Sequence, residues 1–445
     1  MNKYIICIFA LFVSISAPGA VEKSGTISAS ETWTLDESPY HIRGTVNIPQ
    51  GVAIQVEPGV EVLLERGVNI IVRGRFDALG TGEQPILFQS SGSQRWGVIS
   101  YEFTGSGTLQ HSLITRGSTA SGERTGMVTA YQCTGAVIIE DCTFTDWPST
   151  GLGPTATQAY NSTQMEIRRC YFGPGQNEAV HAVGTPILVE HCLFDERRGY
   201  TDAIDCDFIQ LPRPRAIIRY NVFLRGEDDC IDLDDCDAWV EGNLVMSRRG
   251  GDNDPIGISG DRDSHPILIN NVIYDCESGI AFKNGAEITV INNTIVNCDR
   301  GFWMHQNPAH ATVYNTIIWG RDDQTSIRLE PGSTIDISYS IIKGDTVYPG
   351  VGNSNADPMF VDPENLNFNL LPDSPAIDAG TTVEYVPLVD YERKERVDLP
   401  DRPNLGEGEL NYVDIGAYEY QVPQSIINLW RQHVPGGGDD HPFIR

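Results

Sequence analysis

The sequence predicts an all-β protein: a right-handed single-stranded parallel β-helix, a solenoid with N-terminal cap coils and an irregular C-terminal cap. Two observations predict the solenoid, a short motif recurring at intervals of 22 to 29 residues and an inside-outside alternation in the strand that follows it. A third, the failure of the period near both ends, predicts the caps.

The motif is a polar or aromatic residue, then Asn or Cys, one variable residue and a β-former. It reads Asp141-Cys142-Thr143-Phe144, Arg169-Cys170-Tyr171-Phe172, His191-Cys192-Leu193-Phe194 and Tyr220-Asn221-Val222-Phe223. It continues through Asn243, Asn271, Asn293 and Asn315 and closes at Tyr339-Ser340-Ile341. Intervals from Cys142 to Tyr339 are 28, 22, 29, 22, 28, 22, 22 and 24 residues, which fits coils of three short strands with loop insertions. Ankyrin and tetratricopeptide periods are longer, and the leucine pattern of leucine-rich repeats is absent. Coils stack about 4.8 Å apart, so one position per coil forms a column. An inward Asn column hydrogen-bonds along its length. Cys142, Cys170 and Cys192 join that column as small buried residues, and Cys276 and Cys298 are read alike. Disulfides between coils are the alternative that export permits.

Alternation sets the facing of the following strand. In Cys230-Ile231-Asp232-Leu233-Asp234 the apolar residues point inward and the aspartates outward. Two outer columns follow. One runs His181, Asp205, Asp232, Ser259, Ala281, Trp303; the other runs Val183, Asp207, Asp234, Asp261, Lys283, His305.

Residues 1–20 read as a cleaved secretory signal, a short basic start with an apolar run and a small-residue exit. Residues 21–100 form the N-terminal cap and first coils, 101–350 the central repeats, 351–421 the C-terminal cap and 422–445 a tail with one short helix at Ser425–Val434. No later run of about 18 apolar residues exists to span a membrane. The expected product is a secreted monomer. Its net charge of −29 excludes a nucleic-acid reader that works through a basic surface. The same charge disfavours an anionic substrate unless a cation sits between it and the protein.

The densest charge lies between Asp202 and Asp237. Carboxylates on adjacent coils raise one another's pKa, and a hard cation such as Ca²⁺, which takes six to eight oxygens, relieves that cost. Asp205, Asp228, Asp229 and Asp232 are the expected ligands.

These residues carry a family resemblance. The repeat region resembles the pectate-lyase-type β-helix superfamily, and Asp228-Asp229-x-x-Asp232 with Asp205 one coil earlier resembles the calcium site of aspartate-rich pectate lyases. The step matching their base lysine is Gly257-Ile258-Ser259, which leaves that role to Lys283 or Arg262. Tyr200-Thr201-Asp202, Gly226-Glu227-Asp228-Asp229-Cys230 and Ala281-Phe282-Lys283 are similar to steps of polygalacturonases, with Ile256 and Ala281 where that family has histidine and arginine. The first resemblance implies a calcium-dependent lyase that cleaves an acidic, uronate-containing polysaccharide by β-elimination. The second implies an inverting hydrolase in which Asp228 and Asp229 divide the acid and base roles, assisted by Asp202. A non-catalytic surface protein that binds glycan is the third reading. Lys283, Asp202, Asp228 and Asp229 are thus the expected catalytic set, and Arg262, Trp303 and His305 the expected substrate contacts.

Overall fold

A computed structural model describes residues 20–118, 124–148, 155–175, 177–195, 201–247, 255–321 and 326–422. Nearly all of the expected leader and tail, including the helix at Ser425–Val434, lies outside the described residues. Among the described residues no helix is long and apolar enough to cross a membrane.

Each coil contributes three short strands, and equivalent strands of successive coils pair in parallel into three ribbons. The first holds Ile204–Ile209, Ile231–Cys236, Ile256–Asp261, Ser278–Lys283 and Arg300–His305. The second holds Ala216–Arg219, Ala238–Glu241 and Ile267–Ile269, and the third Val222–Gly226, Leu244–Ser247 and Val272–Tyr274. The long strand Tyr40–Ile48 pairs with both the first and third ribbons and joins them into one sheet.

Alternation builds the core as the pattern predicts. Ile231 and Leu233 are fully buried, while Asp232 and Asp234 stay partly exposed. Phe144, Phe172, Phe194 and Phe223 stack with centroid spacings of 5.0, 4.9 and 4.7 Å, close to the strand spacing of the coils. This ties the core column to the backbone ladder, since both share one repeat distance.

The polar ladder runs beside it. Asn243 donates from its backbone N–H and its Nδ2 to Asn271 Oδ1 at 3.0 and 2.9 Å, and Asn271 donates likewise to Asn293 at 2.8 and 2.9 Å. Cys192 N–H donates to Asn221 Oδ1, and Cys170 N–H to Cys192 Sγ. All nine described cysteines are buried and free, so they stack rather than cross-link. Burial pushes the Cys142 and Cys170 thiols well above their usual range, which keeps them unreactive. Asn271→Ala strips the acceptor from two buried donors of Asn243. Urea unfolding is expected to show a loss of about 2–4 kcal/mol.

The register departs from the sequence reading at the last two coils. The residue before each ladder position adopts a left-handed conformation, with φ of 56° at Tyr220, 63° at Gly242, 52° at Asn270 and 52° at Asn292. The same bend falls on Asn315 (φ 50°) and Tyr339 (φ 48°), so the ladder residues there are Thr316 and Ser340. Thr316 Oγ1 accepts from Asn293 N–H, and Ser340 Oγ accepts from Thr316 N–H. Asn suits both a left-handed bend and a ladder, which hides a one-residue slip from pattern reading.

The C-terminal region both closes the end and runs back along the flank. Tyr339 N–H donates to Val351 O and Ile342 N–H to Ser354 O, which covers the last coil. The chain then returns along the column of bend residues. Asn315 Nδ2 donates to Thr381 O, Asn292 Nδ2 to Asp414 O and Asn270 Nδ2 to Val389 O, while Arg393 stands over the Tyr220 ring. The bend residues therefore dock this strap, leaving the outer face of the first ribbon to the carboxylates.

Candidate functional site

The first ribbon aligns the outer columns coil by coil. His181 pairs with Asp205, Asp205 with Asp232, Asp232 with Ser259, and Asp207 with Asp234. The turn that enters this ribbon adds Asp202 on one coil and Asp228 with Asp229 on the next. Donor atoms of Asp202, Asp228 and Asp229 lie within 4.8 Å of one another, as do those of Asp202, Asp205 and Asp232, and those of His181, Asp205 and Asp207. The four expected ligands are thus gathered around Asp202. That residue, read from sequence as catalytic, belongs to two of the triads.

Among the described residues no lysine or arginine lies within ion-pair distance of Asp202, Asp228, Asp229 or Asp232. Burial lifts the Asp228 carboxyl to about 6, with the Asp232 charge adding to it. Burial, then Asp232 and Asp261, lift Asp234 to about 7. Asp202, Asp205 and Asp229 are pushed well above the carboxylate range by burial and by their neighbours' charges. Ser259 Oγ lies 2.5 Å from Asp229 Oδ2 and 2.9 Å from Asp232 Oδ1. The one hydroxyl thus bridges the two carboxylates. The donors at the Asp202 triads are all carboxylate oxygens, the chemistry of a hard divalent cation.

His181 was absent from the sequence-derived site. Its Nε2 lies 3.5 Å from Asp205 Oδ2 and 3.4 Å from Asp207 Oδ2. Burial draws the imidazole down, yet the two carboxylates outweigh it and lift His181 to about 9. Its place one coil before Asp205 in the outer column was the available signal.

The remaining candidates lie farther along the same face. Lys283 is on the second coil after Asp232, with Nζ 3.7 Å from Asp261 Oδ2 and its side chain 36% exposed. Its charge still reaches the cluster, drawing down the Asp228, Asp229 and Asp232 carboxyls. Arg262 leans across the face toward Asp234 at 3.5 Å and Asp207 at 4.0 Å. Trp303 is stacked on His305 at 3.8 Å, lies beneath the Arg300 and Arg328 guanidinium groups, and donates from Nε1 to Glu330. His305, read from sequence as a surface residue, is 6% exposed, and its Nδ1 is buried with no hydrogen-bond partner. Alternation fixes the side of the sheet, but the Trp303 stack decides the cover.

Comparison with known proteins bears on the fold. Residues 251–359, under half of the chain, match the family described as right handed beta helix region. Among solved structures, the chain is similar to tailspike protein 3 of bacteriophage CBA120 at 11% identity and TM-score 0.44, over 67% of this chain and 54% of that one. It is similar to the periplasmic alginate epimerase AlgG at 11% identity and TM-score 0.41, over 67% and 77% of the two chains. For pectate lyase Pel9A the values are 14% and 0.33, over 84% and 89%. The chain spans about half the length of the tailspike it matches. No curated protein sequence gives a match. The family match agrees with the parallel coils that the strand pairing shows.

Proposed function

We propose that this protein is a secreted enzyme that cleaves an acidic, uronate-containing polysaccharide by β-elimination and uses Ca²⁺. The observation that carries the proposal is the pair of carboxylate triads sharing Asp202, with Lys283 two coils away on the same face. Asp202, Asp205, Asp228, Asp229 and Asp232 would hold the ion, and Ser259 orients two of these carboxylates. Bound there, Ca²⁺ would draw charge from the substrate carboxylate and make the neighbouring C5 proton more acidic. It would also bridge two partners of like charge. Lys283 would take the C5 proton on Nζ; the C–H electrons become the C4–C5 double bond as the C4–O bond breaks, and solvent protonates the leaving oxygen. Arg262 and the partly exposed Trp303 would contact the sugar chain, whereas His305, 6% exposed and stacked on Trp303, is covered.

A second reading is favoured by Asp228 and Asp229, adjacent carboxyls both raised by burial, which would divide the acid and base roles of inverting hydrolysis. One assay separates the readings. Incubation with pectate and with alginate, with and without Ca²⁺, is expected to yield calcium-dependent ultraviolet absorbance from the new double bond. Reducing ends without that absorbance indicate hydrolysis. Glycan binding with neither signal leaves a non-catalytic binding protein.

A further inference from the structure

The first ribbon carries a second charged feature of opposite sign. Arg66, Arg95 and Arg116 occupy the turn that enters this ribbon on three successive coils, the same turn that later carries Asp202, Asp228 and Asp229. Backbone bonds lock the three turns together, Gly67 N–H to Arg95 O at 3.1 Å and Trp96 N–H to Arg116 O at 3.2 Å. Trp96 is fully buried and donates from Nε1 to Thr115 O, so the turns stand on a fixed anchor. Arg66, Gly67, Ser93, Gln94 and Arg95 line a cleft of about 540 Å³, with no acidic residue among the described residues that line it. Asp146 is the one carboxylate among the described residues that meets this group; it pairs with Arg95 at 2.6 Å and Arg116 at 3.6 Å. Arg66 is exposed and has no ion pair among the described residues. Among the described residues three guanidinium groups meet one carboxylate here, the neighbouring Glu65 being paired with Arg43, which leaves a local positive field on a chain of net charge −29.

The geometry points to this cleft as an anchoring subsite for an anionic polysaccharide whose reacting portion lies at the aspartate cluster. The register steps Ile99 to Val128, Val128 to Thr157, Thr157 to Val180 and Val180 to Ile204 separate the Arg95 coil from the Asp202 coil. At about 4.8 Å per step the two sites lie roughly 19 Å apart along the axis. A monosaccharide cannot span that distance, whereas a polymer can. The arginines bind its carboxylate or sulfate groups directly, by charge-assisted hydrogen bonds. The inference rests on the proposed function for the identity of the polymer, not for the anion chemistry of the cleft.

The test measures binding without catalysis. Fluorescently labelled polygalacturonate is titrated onto the full chain in EDTA, which removes divalent cations from the aspartate cluster. Wild type is expected to bind with an affinity that falls steeply with salt, while neutral dextran and equal concentrations of galacturonate monomer do not compete. The double variant Arg66→Ala with Arg116→Asn, where asparagine tolerates the φ of 60° at position 116, is expected to bind at least tenfold more weakly with an unchanged melting temperature. Should that variant melt early, Arg66→Glu alone, at an exposed position, repeats the measurement. Equal binding by the folded variant, competition by dextran, or no binding by wild type each overturns the inference. Absence of unsaturated products from wild type defeats the lyase reading and leaves this binding result standing.

Discussion

Stripped of divalent cations, the protein is expected to melt at a lower temperature at pH 7.5 than at pH 5, and millimolar Ca²⁺ is expected to close that gap. Folded Asp228 titrates near 6 and Asp234 near 7, whereas an unfolded aspartate titrates near about 3.9. Between those values the folded state binds protons more tightly than the unfolded one, so stability falls as pH rises from about 4 to about 7. Asp202, Asp205 and Asp229 act in the same direction. His181, raised to about 9, adds to the trend, because its contribution is complete below about 6.5 and is lost as pH climbs toward 9. A cation on the cluster removes the repulsion, and at a hundredfold its Kd it adds about 2.7 kcal/mol. Protons compete for the same oxygens, so the calcium effect grows with pH. Asp232→Asn removes one of the crowded charges. It is expected to raise the melting temperature of the chelated protein at pH 7.5 and to abolish most of the calcium response. Differential scanning calorimetry across this range decides the matter: a chelated protein that gains stability from pH 5 to 7.5 sinks the metal site.

How much of this was legible in the sequence depends on which physical rule fixes each residue. The aspartate columns were legible because two periods fix them. Strand alternation decides the face, and the coil length decides that Asp205 and Asp232 become neighbours. Asp202 was legible as a nearby acid but not as the shared member of two triads, because it lies in the turn before the strand, where no period operates. The Asn315 and Tyr339 slip has a different origin. Their left-handed φ bends the chain one residue before the ladder, and a polar pattern alone does not distinguish bend from rung. The strap was least legible, since Asn292 meets Asp414 across 122 residues with no repeat to announce it. Burial of His305 belongs with the strap, being set by tertiary stacking on Trp303 rather than by local periodicity.

Lys283→Ala is expected to lower kcat on the acidic polysaccharide by about 10²–10⁴-fold, the usual contribution of a positioned general base. Calcium binding is expected to persist and even tighten slightly, because the Lys283 charge bears on Asp228, Asp229 and Asp232 and repels any cation held there. This split separates a base from a structural lysine. If Lys283 served only to balance the acidic face, its loss would change calcium affinity and stability more than turnover. Lys283→Arg sharpens the distinction, since a guanidinium keeps the charge but gives up its proton far less readily than an ammonium. Both variants are therefore expected to be nearly inactive in the ultraviolet assay while melting like wild type with Ca²⁺ present. An active Lys283→Ala would remove Lys283 from the chemistry and leave the hydrolytic pair Asp228 and Asp229 as the surviving account.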